Sequence, residues 1–169
     1  MEEQHEHEQY FFDGATQRRV ADFVEGYECP LCLCTPTVGA ELVRRGVEAH
    51  ILDIDRRFAD LPGFRFFDLQ HPTWTGEEHG IILCDPPFFG VSLSRLLKAI
   101  RLLAGYDFAK PLLVTYLKRR SAKILEVFEP FGLRPTGFLP TYESVPKLGK
   151  FEVEFFGNLP EESHARLRG

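Results

Sequence analysis

Short apolar runs alternate with amphipathic segments along this chain, and that alternation is what most constrains its fold. Residues 29–34 (CPLCLC) are almost wholly apolar, as a strand covered on both faces must be. Thr35-Pro36-Thr37 then turns into a helical segment carrying Val38, Leu42 and Val43, closed by Gly46. Residues 47–54 (VEAHILDI) read as a second strand, 65–69 as a third and 80–84 as a fourth. Ser92 caps a helix with Leu93, Leu96, Leu97, Ile100 and Leu103 inward, and residues 112–117 form a fifth strand. Ser121 caps another helix that stops before Pro130, and Thr16 caps an earlier one carrying Val20, Phe23 and Val24. Residues 133–142 and 150–156 read as two strands around a Pro/Gly/Lys loop, a terminal antiparallel hairpin. The expected fold is α/β: a mainly parallel sheet with helices on both faces and a ligand at the carboxyl ends of its strands.

A length of 169 residues suits one domain and leaves no room for a separate target-recognition domain of normal size. Residues 1–9 (MEEQHEHEQ) read as a disordered acidic leader, 10–158 as the domain and 159–169 as a polar tail. The net charge is −5, but the leader holds four of the acids, so the remainder carries 21 acids against 20 bases. That near-neutral balance argues against a histone-like nucleic-acid coat. No run approaches the roughly 18 consecutive apolar residues of a membrane span, so no membrane partner is expected. Three of the four cysteines crowd into residues 29–34, and near neighbours on one strand do not bridge, so no disulfide framework is expected. With no basic, apolar signal at the N-terminus, the expected compartment is cytoplasmic or nuclear. Cys29-x-x-Cys32 with His5 and His7 is not read as a metal site, because no second Cys-x-x-Cys accompanies it.

The most informative run is Ile81-Ile82-Leu83-Cys84-Asp85-Pro86-Pro87-Phe88, a buried strand ending in an acid, two prolines and an aromatic. Each part has a use if the substrate is a planar exocyclic amine, whose lone pair is delocalised into its ring. Asp85 and the Pro86 carbonyl can accept hydrogen bonds from the two amine N–H groups. That favours a pyramidal nitrogen, whose lone pair then meets an incoming methyl group in line. The prolines stiffen the loop, and Phe88 offers a face on which a flipped base stacks. The plainer alternative is a strand end turned by Pro-Pro with a helix-capping acid.

Asp53 ends the second strand, where a carboxylate commonly holds ribose hydroxyls. Asp55 points the same way along the strand and competes for that role. Asp68 ends the third strand, within reach of an adenine amine. The loop 35–39 (TPTVG) sits where nucleotide-binding folds approach their cofactor, although it lacks the usual Gly-x-Gly. Trp74 and Tyr142 read equally as substrate-stacking aromatics or as packing.

The segments FFDGATQRRV, CLCTP, ILDIDRRF and CDPPFFG, in this order, resemble the adenine-N6 methyltransferase-like family of class I AdoMet-dependent enzymes. Within it the chain is most similar to the catalytic core of the animal zinc-finger ribosomal-RNA adenine methyltransferases. It is also similar to the translation-elongation-factor lysine methyltransferases, which carry the same acid-Pro-Pro-aromatic motif. The resemblance spans roughly residues 9–158 and implies a Rossmann-like class I methyltransferase fold with S-adenosyl-L-methionine (AdoMet) as cofactor. It implies that Asp85, Pro86, Pro87 and Phe88 form the catalytic loop. It also implies that Asp53 binds the ribose, that Asp68 and Leu69 flank the adenine, and that Thr35 and Pro36 line the methionine part. Gln9, Phe11, Phe12 and Thr16 match the N-terminal segment that the family folds over the cofactor. The zinc fingers are absent, so metal-dependent RNA targeting is not implied.

Charge distribution bears on the substrate. Between Arg95 and Lys123 stand eight bases and one acid. Arg95, Lys98 and Arg101 follow at three-residue steps on one helix, and Lys118, Arg119 and Arg120 follow the fifth strand. A basic rim there guides a phosphate backbone; the alternative is a solvated helix face. A protein lysine, with a pKa near 10.4 before burial, would prefer an acidic or aromatic channel. The expected substrate is therefore adenine N6 in RNA (ribosomal RNA favoured) or DNA, the alternative being a lysine of a translation factor. The short chain also leaves a place for an accessory specificity subunit.

Overall fold

The computed structural model describes residues 1–145 and 151–169. Five strands run parallel: β1 (Leu31–Leu33), β2 (His50–Asp53), β3 (Phe64–Phe66), β4 (Ile82–Cys84) and β5 (Leu112–Leu117). Two more, β6 (Arg134–Pro135) and β7 (Val153–Gly157), pair antiparallel with each other, and β7 pairs antiparallel with β5. The spatial order is β3-β2-β1-β4-β5-β7-β6. The chain therefore works outward from β1 to β3, then returns to place β4 on the other side of β1. That reversal opens a crevice beyond the carboxyl ends of β1 and β4, the usual ligand position in such sheets.

Alternate residues of each strand enter different cores, as the pleat requires. Cys32, Ile51, Leu83, Leu113 and Phe155 face α1 (Gly14–Val24), α2 (Pro36–Arg44) and α5 (Glu161–Arg168). Leu31, Leu33, Leu52, Ile82, Cys84, Val114 and Phe156 face α3 (Leu93–Leu103) and α4 (Ser121–Val127). Both faces are thus covered, as the unbroken apolar strands foretold. Gly39 lets α2 settle closely on β2, since a Cβ there would lie 2.5 Å from Ile51 Cγ1.

The differences from sequence expectation have local causes. The paired strands are shorter than the apolar runs, because a buried approach segment need not enter the ladder. The first helix starts earlier than Thr16 implied: the Asp13 side chain is the cap and accepts from Thr16 N at 2.8 Å. Ser92 caps α3 as expected, accepting from Arg95 N at 3.3 Å. Ser121 is instead the first residue of α4, because a 3-10 turn at Lys118–Arg120 runs directly into that helix. The C-terminal antiparallel pair is present, but β6 has only two residues. Lys150 and the expected Pro/Gly/Lys loop at 146–150 lie outside the described residues.

Residues 1–9 include a 3-10 turn at His5–His7, and Glu3 Oε1 accepts from Phe11 N at 2.7 Å. The expected polar tail is largely α5, which buries Leu167 and whose Arg168 Nη1 donates to Thr136 O at 2.6 Å. Among the described residues no helix is long and apolar enough to cross a membrane.

Candidate active site

One cavity of about 680 Å³ opens at the carboxyl ends of the parallel strands. Its wall at β4 follows from the sequence there. Asp85 N still donates to Leu33 O at 3.3 Å, but Pro86 and Pro87 have no N–H to continue the ladder, so the chain leaves the sheet. Asp85 is left at the cavity wall. Its Oδ1 accepts from both Thr115 Oγ1 and the Tyr142 phenol, the latter at 2.8 Å. Burial pushes the Asp85 carboxyl up to about 7, against the lowering effect of those two donors. Both donors use Oδ1, and among the described residues Oδ2 is left for another partner. Pro86 is buried beside it, and the Phe88 ring meets Tyr116 edge-on at 5.8 Å between centroids.

The acids after β2 divide sharply although only two residues separate them. Asp53 lines the cavity and is held by the backbone N–H groups of Asp55 and Ile54, the first at 2.8 Å. Burial pushes its carboxyl up to about 6. Asp55 also borders the cavity, but Arg57 engages both its oxygens, with Nη2 2.7 Å from Oδ2, and Gln9 Nε2 donates to Oδ2 at 2.8 Å. The Arg57 guanidinium draws Asp55 down to about 2. Asp68 accepts from Gln70 N at 2.8 Å and lies 3.1 Å from His71 Nδ1, whose side-chain bond holds it below the usual carboxylate range.

Asp85, Pro86, Pro87, Phe88, Pro36, Asp53, Asp55, Asp68, Leu69 and Phe11 all line this one cavity, together with Gln9. Three other expected contacts do not. Thr35, the N-cap residue of α2, is buried behind Cys34 and Pro36, which do line the wall. Phe12 points into the core, packing on Tyr142 and Phe155 with centroids 5.1 and 5.9 Å away. Thr16 is tied to Thr141, whose N donates to Thr16 Oγ1 at 3.0 Å. Phe12 and Thr16 thus anchor the N-terminal segment beside Tyr142, while Gln9 and Phe11 reach the ligand space.

Of the expected rim, Arg95 Nη1 donates to the carbonyl of Gln70, a wall residue, at 3.3 Å. Arg120 lies 5.4 Å from the Tyr116 ring on which Phe88 packs. Lys118 and Arg119 are exposed beside it, Lys118 3.8 Å from Glu152. None of these four lines the cavity itself, and Lys110 belongs to the opposite end of β5, where Nζ donates to His79 O at 2.8 Å. Trp74 is exposed and outside the wall.

Sequence reasoning passed over Thr115 and left the role of Tyr142 open. Thr115 carried a signal, being the one aliphatic hydroxyl within the buried run LLVTYL. Tyr142 carried none, because 57 residues separate it from the carboxylate it donates to. Leader residues Gln4 to Glu8 also border the cavity, and Phe89 N donates to Glu8 Oε2 at 3.0 Å.

Comparison with known proteins bears on this architecture. A crystal structure from Pyrococcus horikoshii, described as a "putative RNA methyltransferase", matches with a TM-score of 0.53 at 14% identity, covering 92% of this chain and 88% of that one. The tRNA (uracil-54, C5)-methyltransferase of Pyrococcus abyssi, solved with S-adenosyl-L-homocysteine, matches with a TM-score of 0.54 at 17% identity, covering 85% of this chain and 36% of that one. At such identities the likeness establishes the Rossmann-like methyltransferase fold. No curated protein matches the chain in sequence. The model of the family "Probable N6-adenine methyltransferase" matches residues 3–158, nearly the whole chain. The chain belongs to that family of AdoMet-dependent methyltransferases.

Proposed function

We propose that this methyltransferase modifies an exocyclic amine, adenine N6, in RNA. The observation that carries this reading is the shared cavity: the Asp85-Pro86-Pro87-Phe88 turn faces the same space as the Asp53 carboxylate. The residues present fit AdoMet, which when bound supplies a methyl group on a sulfonium. Asp53, with no cationic partner on its oxygens among the described residues, takes the ribose diol; Asp55 is already committed to Arg57 and Gln9. Asp68 and Leu69 border the adenine, and Pro36 with Cys34 borders the amino-acid arm. Asp85 Oδ2 and the Pro86 carbonyl accept from the substrate amine and turn its lone pair toward the donor. Thr115 and Tyr142 hold Oδ1, so the carboxylate cannot rotate away. A carboxyl near 7 also accepts the amine proton that departs after transfer. Phe88, steadied edge-on by Tyr116, provides the stacking face. Arg95, Lys118, Arg119 and Arg120 lie outside the cavity, where a phosphate backbone would pass.

A second reading, a protein lysine substrate, draws support from the leader. Glu6 and Glu8 border the cavity with Tyr10 and Phe89, an acidic and aromatic approach suited to an ammonium. Incubation with methyl-labelled AdoMet and separate RNA, DNA and protein fractions, followed by digestion, decides between them. Label in N6-methyladenosine from RNA supports the first reading; label confined to methyl-lysine replaces it with the second.

A further inference from the structure

Cys29, His50 and His79 come together at the amino ends of β1, β2 and β4, the sheet edge opposite the cavity. Parallel register sets His50 beside Leu31, and His50 N donates to Pro30 O at 3.0 Å. The segment carrying His79 can approach only because residue 80 is glycine. Gly80 N donates to Glu28 O at 2.7 Å, and a Cβ at Gly80 would itself lie 2.7 Å from that oxygen.

The spacing of the side chains is informative. His50 Nδ1 lies 3.6 Å from Cys29 Sγ, 3.3 Å from His79 Nδ1 and 3.1 Å from Glu77 Oε2. Around a tetrahedral zinc-sized ion, two nitrogens stand about 3.3 Å apart and nitrogen and sulfur about 3.6 Å apart, from metal bonds of about 2.0 and 2.3 Å. The three distances from His50 Nδ1 thus match three edges of a coordination tetrahedron, and one ligand atom each of Cys29, His50 and His79 lies within 4.8 Å of the others. As a hydrogen-bond network it is poor. His79 is 4% exposed, yet its Nε2 has no hydrogen-bond partner among the described residues. Buried polar atoms are normally satisfied. The carboxylates of Glu28, Glu48 and Glu77 also surround Cys29 with negative charge.

We propose that Cys29, His50, His79 and Glu77 bind one divalent transition-metal ion of the zinc class, pinning the amino ends of three strands. One thiolate, two imidazoles and a carboxylate suit a borderline cation, whereas magnesium and calcium favour all-oxygen sets. With Glu77, which meets the cluster at His50, turned in as fourth ligand, the sphere closes and the role is structural. The outer contacts orient the ligands: Arg65 pairs with Glu77 Oε1, and Lys110 Nζ holds the His79 carbonyl. Binding displaces the Cys29 thiol proton to solvent and forms a metal–thiolate bond. This ion lies away from the methyl-transfer chemistry and is independent of the substrate reading.

The test uses tag-free full-length protein, dialysed and analysed for metal by mass spectrometry, then stripped by chelator and titrated with cobalt(II). We expect close to one zinc per chain and a thiolate-to-cobalt charge-transfer band that zinc displaces. Cys29→Ser should abolish the band, and His79→Ala should lower metal content about tenfold or more. A His5→Ala/His7→Ala double variant should change neither. Folded wild-type protein holding less than about a tenth of an equivalent of metal, with no cobalt band, overturns the proposal. The wild-type measurements decide even where a variant fails to fold.

Discussion

The two edges of the same parallel sheet hold their reactive side chains in opposite circumstances. At the carboxyl edge Asp53 and Asp85 border open volume, and burial is the leading cause that pushes them up to about 6 and about 7. At the amino edge Cys29, Glu77 and His79 each approach His50 at contact distance. The physical lesson concerns space. An acid beside an open crevice is left for a ligand the size of a nucleoside. Ligating atoms pressed together are left only for something as small as a single ion.

The largest effect that would break this comparison is expected at Asp85. Asp85→Asn should lower the transfer rate at least about a hundredfold while AdoMet affinity, read by calorimetry, stays near wild type. Full activity would remove Asp85 from the chemistry. The same variant should raise the melting temperature at pH 8 by several degrees, because the folded state then no longer ionises a buried carboxyl. The sign follows from the raised value. Below about pH 4 both states are protonated; from there to about pH 7 the unfolded chain ionises first and stability falls; above 7 the loss is constant.

Next in size is the pair of acids at the end of β2, Asp53 and Asp55. Asp53→Ala should weaken AdoMet by about tenfold or more and Asp55→Ala by clearly less; the reverse order would give the ribose to Asp55. Smaller again is the effect of pH. The transfer rate should climb with unit slope to about pH 7 and then level, since only the ionised Asp85 accepts from the amine. Tyr142→Phe removes a donor to Asp85 and should move that limb to higher pH; an unmoved limb would leave the tyrosine a packing role. Charge reversal at Lys118, Arg119 and Arg120 should raise KM for RNA and flatten its salt dependence without altering AdoMet binding. The smallest effect belongs to the other edge. Cys29→Ser should leave transfer per folded molecule within about twofold while metal content falls.

Much of this was legible before any coordinates. Residues 112–117 form a strand at their expected bounds, and the Asp-Pro-Pro-Phe turn follows β4 at the crevice. The local composition sufficed there, since an apolar run must be buried and a double proline must leave a ladder. Thr16 misled because Asp13, three residues earlier, offers the better capping oxygen. The polar tail misled because its composition hid Ser163, His164 and Leu167 on one buried helix face. The eight bases between Arg95 and Lys123 come from both sheet edges, and Lys110 stands at the amino end of β5 with Nζ on the His79 carbonyl.

By itself the sequence determined the alternation of strands and helices, the acid at the end of β2 and the turn after β4. Each of these depends on neighbours a few residues away, through burial period and proline chemistry. Only the tertiary structure decided which side chains meet. Tyr142 reaches Asp85 across 57 residues, and His50 reaches Cys29 across 21. Strand order and register set those meetings, and both follow from how the whole core packs.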